Sequence, residues 1–99
     1  MSKFSWSQRA TKDLQRIAEY IRGYNVEKEV EITTMLIVAA DQLRAQPHSG
    51  QKRETLSDGS MLRSLLVRKK YRLVYRVASS GDVEILQVLD VRSDNEFSR

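Results

Sequence analysis

Seven consecutive residues constrain this chain more than any others: Tyr71-Arg72-Leu73-Val74-Tyr75-Arg76-Val77. Read with the two-residue period of a β-strand, they put Tyr71, Leu73, Tyr75 and Val77 on one side and Arg72, Val74 and Arg76 on the other. A sheet built on this strand has one face that must be buried. Its other face carries two guanidiniums flanking a single aliphatic residue, a surface suited to bidentate contact with phosphate or carboxylate. Neither arginine can turn into an apolar core unpaired without a large desolvation cost. They either bridge to Glu84 or Asp90 on a neighbouring strand or face a partner. Arg63 is expected to join them from the preceding strand, across a tight turn of Arg68, Lys69 and Lys70.

The surrounding segments supply the rest of a small domain. Strands are expected over Met61 to Val67, Tyr71 to Ala78 and Val83 to Val91, the last two joined by the turn Ser79-Ser80-Gly81-Asp82. The final strand is apolar at both parities near its centre, which predicts an inner strand covered on both faces. At the other end of the chain, Phe4-Ser5-Trp6 reads as a short strand that puts an aromatic into the core. Ser7 then caps a helix whose apolar stripe is Ala10, Leu14, Ile17, Ala18 and Ile21. Arg9, Lys12, Asp13, Arg16, Glu19 and Arg22 make its charged face. After a turn at Gly23–Asn25, a second helix is expected from Val26 to Ala45. Its acid-rich start (Glu27, Glu29, Glu31) suits the positive end of the helix dipole. Its middle is apolar on more than one face, so it packs against both the first helix and the sheet or leaves a patch for a partner. Gln46-Pro47-His48-Ser49-Gly50 ends the helical hairpin, and a polar passage containing Asp58-Gly59 leads to the strands. The order β-α-α-β-β-β predicts an α+β fold, with a helical hairpin on a mostly antiparallel four-stranded sheet. Residues 1–99 read as one domain, with 92–99 as a polar tail.

Charge placement adds a functional constraint. The 99 residues carry 17 basic and 13 acidic side chains, for a net +4. The excess sits in the middle: Lys52, Arg53, Arg63, Arg68, Lys69, Lys70, Arg72 and Arg76 face only Glu54 and Asp58 between residues 51 and 76. Such a segment implies an acidic partner, either nucleic acid or an acidic protein segment. The chain has no cysteine and one histidine, His48, in a loop, so a zinc site is not expected. Four scattered glycines make no phosphate loop, and no Ser-His-Asp set or carboxylate pair has catalytic spacing. No cofactor and no metal are expected. The N-terminus lacks an export signal and the longest apolar run, Met35 to Ala40, is far short of a membrane span. A cytoplasmic protein without a membrane partner is the expectation.

The segments WSQRATKDLQRIAEYIRGYN, QPHSG, KYRLVYRV and VEILQVLDVRSD, in this order, resemble the RelE/ParE superfamily of bacterial type II toxins. The first-helix pattern of Ala10, Asp13, Leu14, Ile17, Tyr20 and Ile21, and the long second helix, are most similar to the ParE branch. The resemblance implies a cognate antitoxin, ParD-like or another ribbon-helix-helix protein, that lays a C-terminal segment across the toxin in a hetero-oligomer. It also implies a target. ParE-like members poison DNA gyrase and block replication, with no catalytic activity of their own. The alternative is a RelE-like endoribonuclease that cuts mRNA on the ribosome. In that branch the resemblance maps phosphate contacts onto Arg63, Arg72 and Arg92, while Leu65 falls on another basic position. Phe97 falls where a proton-transferring tyrosine or histidine stands, and phenylalanine transfers no proton. Under the ParE reading, target and antitoxin contacts are expected at Arg63, Arg68, Lys70, Arg72, Arg76, Arg92 and Phe97. The over-apolar second helix and the basic sheet would together receive an amphipathic, acidic segment.

Overall fold

The structure is a computed structural model and describes residues 3–91. The elements run β1 (Phe4–Trp6), α1 (Gln8–Arg22), α2 (Val26–Gln42), β2 (Gln51–Thr55), β3 (Met61–Val67), β4 (Tyr71–Val77) and β5 (Val83–Asp90). One sheet takes the order β1-β5-β4-β3-β2, antiparallel throughout except that β1 runs parallel to β5. The α+β class is as expected, but the sheet has five strands where four were expected. The additional strand is Gln51-Lys52-Arg53-Glu54-Thr55, in which every residue is exposed. With no apolar alternation it reads as a polar loop. It is a strand because β3 offers an unpaired edge, and its charges and a bulge at Arg53 keep a further chain from adding to it.

The strand periodicity of β4 holds: Tyr71, Leu73, Tyr75 and Val77 are buried, and Arg72, Val74 and Arg76 are half-buried. Both helices lie on the Tyr71 side. Ala10 and Ile21 of α1 and Ile32, Leu36 and Ala40 of α2 join Leu73, Tyr75, Val83, Ile85 and Val88 in one core, with Phe4 and Trp6 packed at its margin. β5 is an inner strand as expected, flanked by β1 and β4. Among the described residues it is covered by helices on one face only. Ser7 caps α1, its hydroxyl accepting from the Ala10 N–H at 3.0 Å. Asn25 caps α2, which ends at Gln42, three residues before the expected Ala45, because residues 43–45 tighten into turns.

One residue of α1 departs from its expected place. Asp13 is not on the charged face: it is 3% exposed, and its carboxylate accepts from the Val88 N–H at 3.0 Å. β1 stops at Trp6, opposite Ile85, so β5 beyond that point has no strand on its outer edge. The Ser7 hydroxyl donates to Leu86 O and the Asp13 carboxylate takes the Val88 amide, which ties α1 to that edge. Asp13 stands three residues after Ala10 and four before Ile17, within the apolar stripe. That position is the sequence signal for its burial.

Candidate functional site

Directly opposite residues of an antiparallel pair share a face. The face of β4 away from the helices therefore continues through Leu62, Ser64 and Leu66 of β3 and through Glu84, Gln87 and Leu89 of β5. Val74 divides it into two ends of different character. At one end, Arg76 is held by two carboxylates, Glu84 Oε1 at 3.2 Å from Nη2 and Asp58 Oδ2 at 3.5 Å from Nη1. Two hydrogen bonds from Ser60, through its hydroxyl and its N–H, hold the exposed Asp58 carboxyl below its usual range, and Arg76 adds to them. Glu54 shares this end, opposite Leu62. A recess of about 200 Å³ lies here too, lined by Lys3, Ser5, Arg76, Asp82, Val83 and Glu84. Of the two alternatives for Arg76, the cross-strand ion pair is the one the fold realises.

The other end is cationic. Between the two ends, Arg53, displaced by the β2 bulge, donates through Nε to Ser64 Oγ at 2.8 Å, opposite Val74, and so covers that serine. Arg72 lies half-buried between Leu66 and Leu89 and is also engaged within the protein. Beyond it the chain reverses through Arg68, Lys69 and Lys70, all exposed. Arg68 and Lys69 have φ of 53° and 59°, and the Lys70 N–H donates to Val67 O at 3.1 Å. That is the mirror-image turn that matches strand twist, and it normally takes Asn-Gly.

Arg63 is not part of this surface. It sits opposite Tyr75, so it lies on the helix side, contrary to the expectation that it joins Arg72 and Arg76. Its parity decides this, because counting across the turn puts Leu62 and Leu66, not Arg63, beside the two arginines. Its Nη1 donates to Gly50 O at 2.7 Å, and the Tyr75 hydroxyl donates to Pro47 O at 2.7 Å while accepting from the Gly50 N–H at 3.0 Å. Burial pushes the Tyr75 phenol up. Arg63 and Tyr75 thus lock the loop carrying His48, whose residue is exposed. Arg92 and Phe97 lie outside the described residues.

A second surface lies on α2. Ile32, Leu36 and Ala40 point into the core, leaving Val26, Val30, Ile37 and Val38 between 48% and 61% exposed. Both outcomes expected for this helix are found: it packs against α1 and the sheet, and it leaves a patch. β-branched residues are poor helix formers, and exposed positions gain nothing in packing, so helix stability does not account for them. Glu27, Glu31 and Asp41 share the exposed side, and Tyr20 and Tyr24, also exposed, meet edge to face at 5.7 Å at the end of α1. This patch is therefore apolar with an acidic rim. The sheet end is cationic with an aliphatic floor.

The model of the ParE toxin of the type II toxin–antitoxin system, parDE, matches residues 4–95. The chain belongs to the ParE toxin family. Among solved structures, its fold is similar to a chain from the chromosomal ParDE toxin–antitoxin system of P. aeruginosa. The TM-score is 0.73 at 16% identity, over 91% of this chain and 96% of that one. At that identity the likeness is one of fold. No curated protein matches the chain. Among the described residues of this ParE-family toxin, no cluster of three metal-ligating side chains occurs and no helix is long and apolar enough to cross a membrane.

Proposed function

We propose that this ParE-family chain is a cytoplasmic toxin that binds DNA gyrase, traps its cleaved-DNA complex and blocks replication, and that a cognate antitoxin neutralises it. The exposed Val26-Val30-Ile37-Val38 side of α2 carries the antitoxin half of the reading. A contiguous aliphatic helix face of this kind is matched by an amphipathic helix laid along it. The acidic rim sets that helix's chemistry: an aliphatic ridge edged with lysine or arginine, while acidic residues elsewhere in the antitoxin meet the cationic sheet. The amphipathic, acidic segment expected from the sequence is thus divided, its apolar ridge meeting α2 and its acids the sheet. The sheet surface of Arg68, Lys70 and Arg72 serves the target, with Arg92 and Phe97 assigned to the same role by resemblance, while Arg76 is spent on Glu84 and Asp58.

The ribonuclease alternative required Arg63, Arg72 and Arg92 to converge on one phosphate. Arg63 and Arg72 lie on opposite faces of the sheet, and Arg63 is spent on Gly50 O, which favours gripping over cutting. The test is a gyrase supercoiling assay with purified toxin. Inhibition with accumulation of gyrase-linked double-strand breaks, relieved by the antitoxin encoded beside the toxin, is expected. Normal supercoiling with toxin in excess, or cleavage of message on purified ribosomes, refutes the proposal.

A further inference from the structure

The tip of the β3–β4 hairpin combines two features that stability alone would not select. First, Arg68 and Lys69 hold φ of 53° and 59° in succession, a left-handed conformation that costs arginine and lysine and that Asn-Gly adopts with little strain. The chain places two long cations there and a third, Lys70, directly after them. Second, charge is segregated along the open face. Glu54, Asp58 and Glu84 all lie at its Arg76 end, Arg53 reaches Ser64 at its middle, and Arg72 lies at the tip end. Glu31, 3.6 Å from Arg68, approaches the tip from the helical side.

The tip is fully exposed at all three residues. Three successive exposed cations match a row of phosphates, where charge sets affinity and sequence does not. Leu66, Val74 and Leu89 are the apolar residues beside it, so among the described residues this end offers aliphatic groups and no stacking platform for unpaired bases.

We infer that Arg68, Lys69 and Lys70 form a contact site for the phosphate backbone of duplex DNA, independent of base sequence. The inference rests on the gyrase reading, since gyrase presents a DNA duplex beside its own surface and a toxin touching both would hold the complex together.

The test is fluorescence anisotropy of the full chain with a labelled 20-base-pair duplex across a salt series. Three phosphate contacts predict a slope of log affinity against log salt of about −2.7. The double substitution Arg68→Asn with Lys69→Gly removes two charges and relaxes the turn. It is expected to flatten the slope to about −0.9 while raising Tm by about 5 °C. Lys70→Gln, at a position outside the left-handed pair, is expected to bring the slope to about −1.8 with Tm unchanged. Lys52→Gln, a cation on the helix side of the sheet opposite Arg63, is expected to leave it unaltered. Unchanged duplex binding in the tip variants overturns the inference, as does polyglutamate binding the tip more tightly than DNA. Gyrase poisoning that survives intact in Lys70→Gln and in the double variant also overturns it, leaving the gyrase reading in place. Tip-dependent duplex binding by a toxin that does not inhibit gyrase upholds the site and overturns the gyrase reading instead.

Discussion

Replacing Asp13 tests how the helical hairpin is fastened to the sheet. In Asp13→Ala the Val88 N–H, on a residue 3% exposed, loses its acceptor, and an unsatisfied buried donor costs about 1–3 kcal/mol. The carboxylate also meets Arg9 and Arg16, but those side chains are 61% and 69% exposed, so solvent screening leaves them about 0–1 kcal/mol together. Alanine's better helix propensity returns about 0.5 kcal/mol. The net expectation is a loss of about 2 kcal/mol, a sizeable part of the 5–15 kcal/mol typical of a whole domain. For a domain near this size that lowers Tm by roughly 8–16 °C. Asp13→Asn keeps an oxygen for the Val88 amide and gives up only charge, so its loss should be about 1 kcal/mol or less. Urea unfolding with unchanged m-values measures both, and hydrogen exchange at Val88 locates the effect. If alanine costs no more than asparagine, or if Val88 exchange is unaltered, the carboxylate is not holding the strand edge and the reasoning fails.

Three further perturbations follow from the geometry. A Cβ added at Gly50 lies 2.5 Å from Tyr75 Oη and 2.7 Å from Ser64 O, so Gly50→Ala should cost about 3 kcal/mol by overpacking. Tyr75→Phe should cost about 2 kcal/mol by orphaning Gly50 N–H and Pro47 C=O. The double variant should cost at least 0.5 kcal/mol less than the sum in denaturant titrations, because the phenylalanine removes one of the clashing atoms. For Asp58 the folded carboxyl titrates below its unfolded value, so its contribution is present at neutral pH and is lost as pH falls from about 4 downward. Melting curves of wild type and Asp58→Asn should therefore converge on acidification; a gap that widens refutes the assignment. Val30→Lys with Val38→Lys on exposed α2 positions should leave Tm within about 2 °C. The same pair should sharply weaken capture of the co-expressed antitoxin in a pull-down, and undiminished capture removes α2 from the antitoxin interface.

The parts of the fold legible in the sequence are those set by strong local patterns. The alternation from Tyr71 to Val77 fixes which side of the sheet meets the helices, and Ser7 before Ala10 and Leu14 fixes where α1 begins. Gln51–Thr55 was illegible because an edge strand exposed on both faces has no hydrophobic pattern to show; it exists through the backbone groups of β3. Arg63 was misplaced by proximity in sequence, since whether it shares a face with Arg72 depends on the parity of the turn at residues 68–70. Asp13 looked like one more charge on a wet helix face, and only the early end of β1 creates the unpaired amide it serves. The site was half legible: cation-rich residues were visible, but which cations are neutralised depends on Asp58, which the loop before β3 brings to Arg76.

The two candidate surfaces are not independent. Glu31 Oε2 lies 3.7 Å from Lys28 Nζ and 3.6 Å from Arg68 Nη1, so a single carboxylate on α2 stands between the acidic rim and the cationic hairpin tip. Each of these pairs is exposed and individually weak, which makes the arrangement easy to exchange. Under the proposed function, a partner helix with a basic rim seated along Val26, Val30 and Ile37 would compete for Glu31 and release Arg68. Occupation of α2 would then raise the positive charge presented at the tip, with no change of fold. A double-mutant cycle of Glu31→Gln with Val30→Lys, read in antitoxin and duplex affinities, measures that coupling; additive effects refute it.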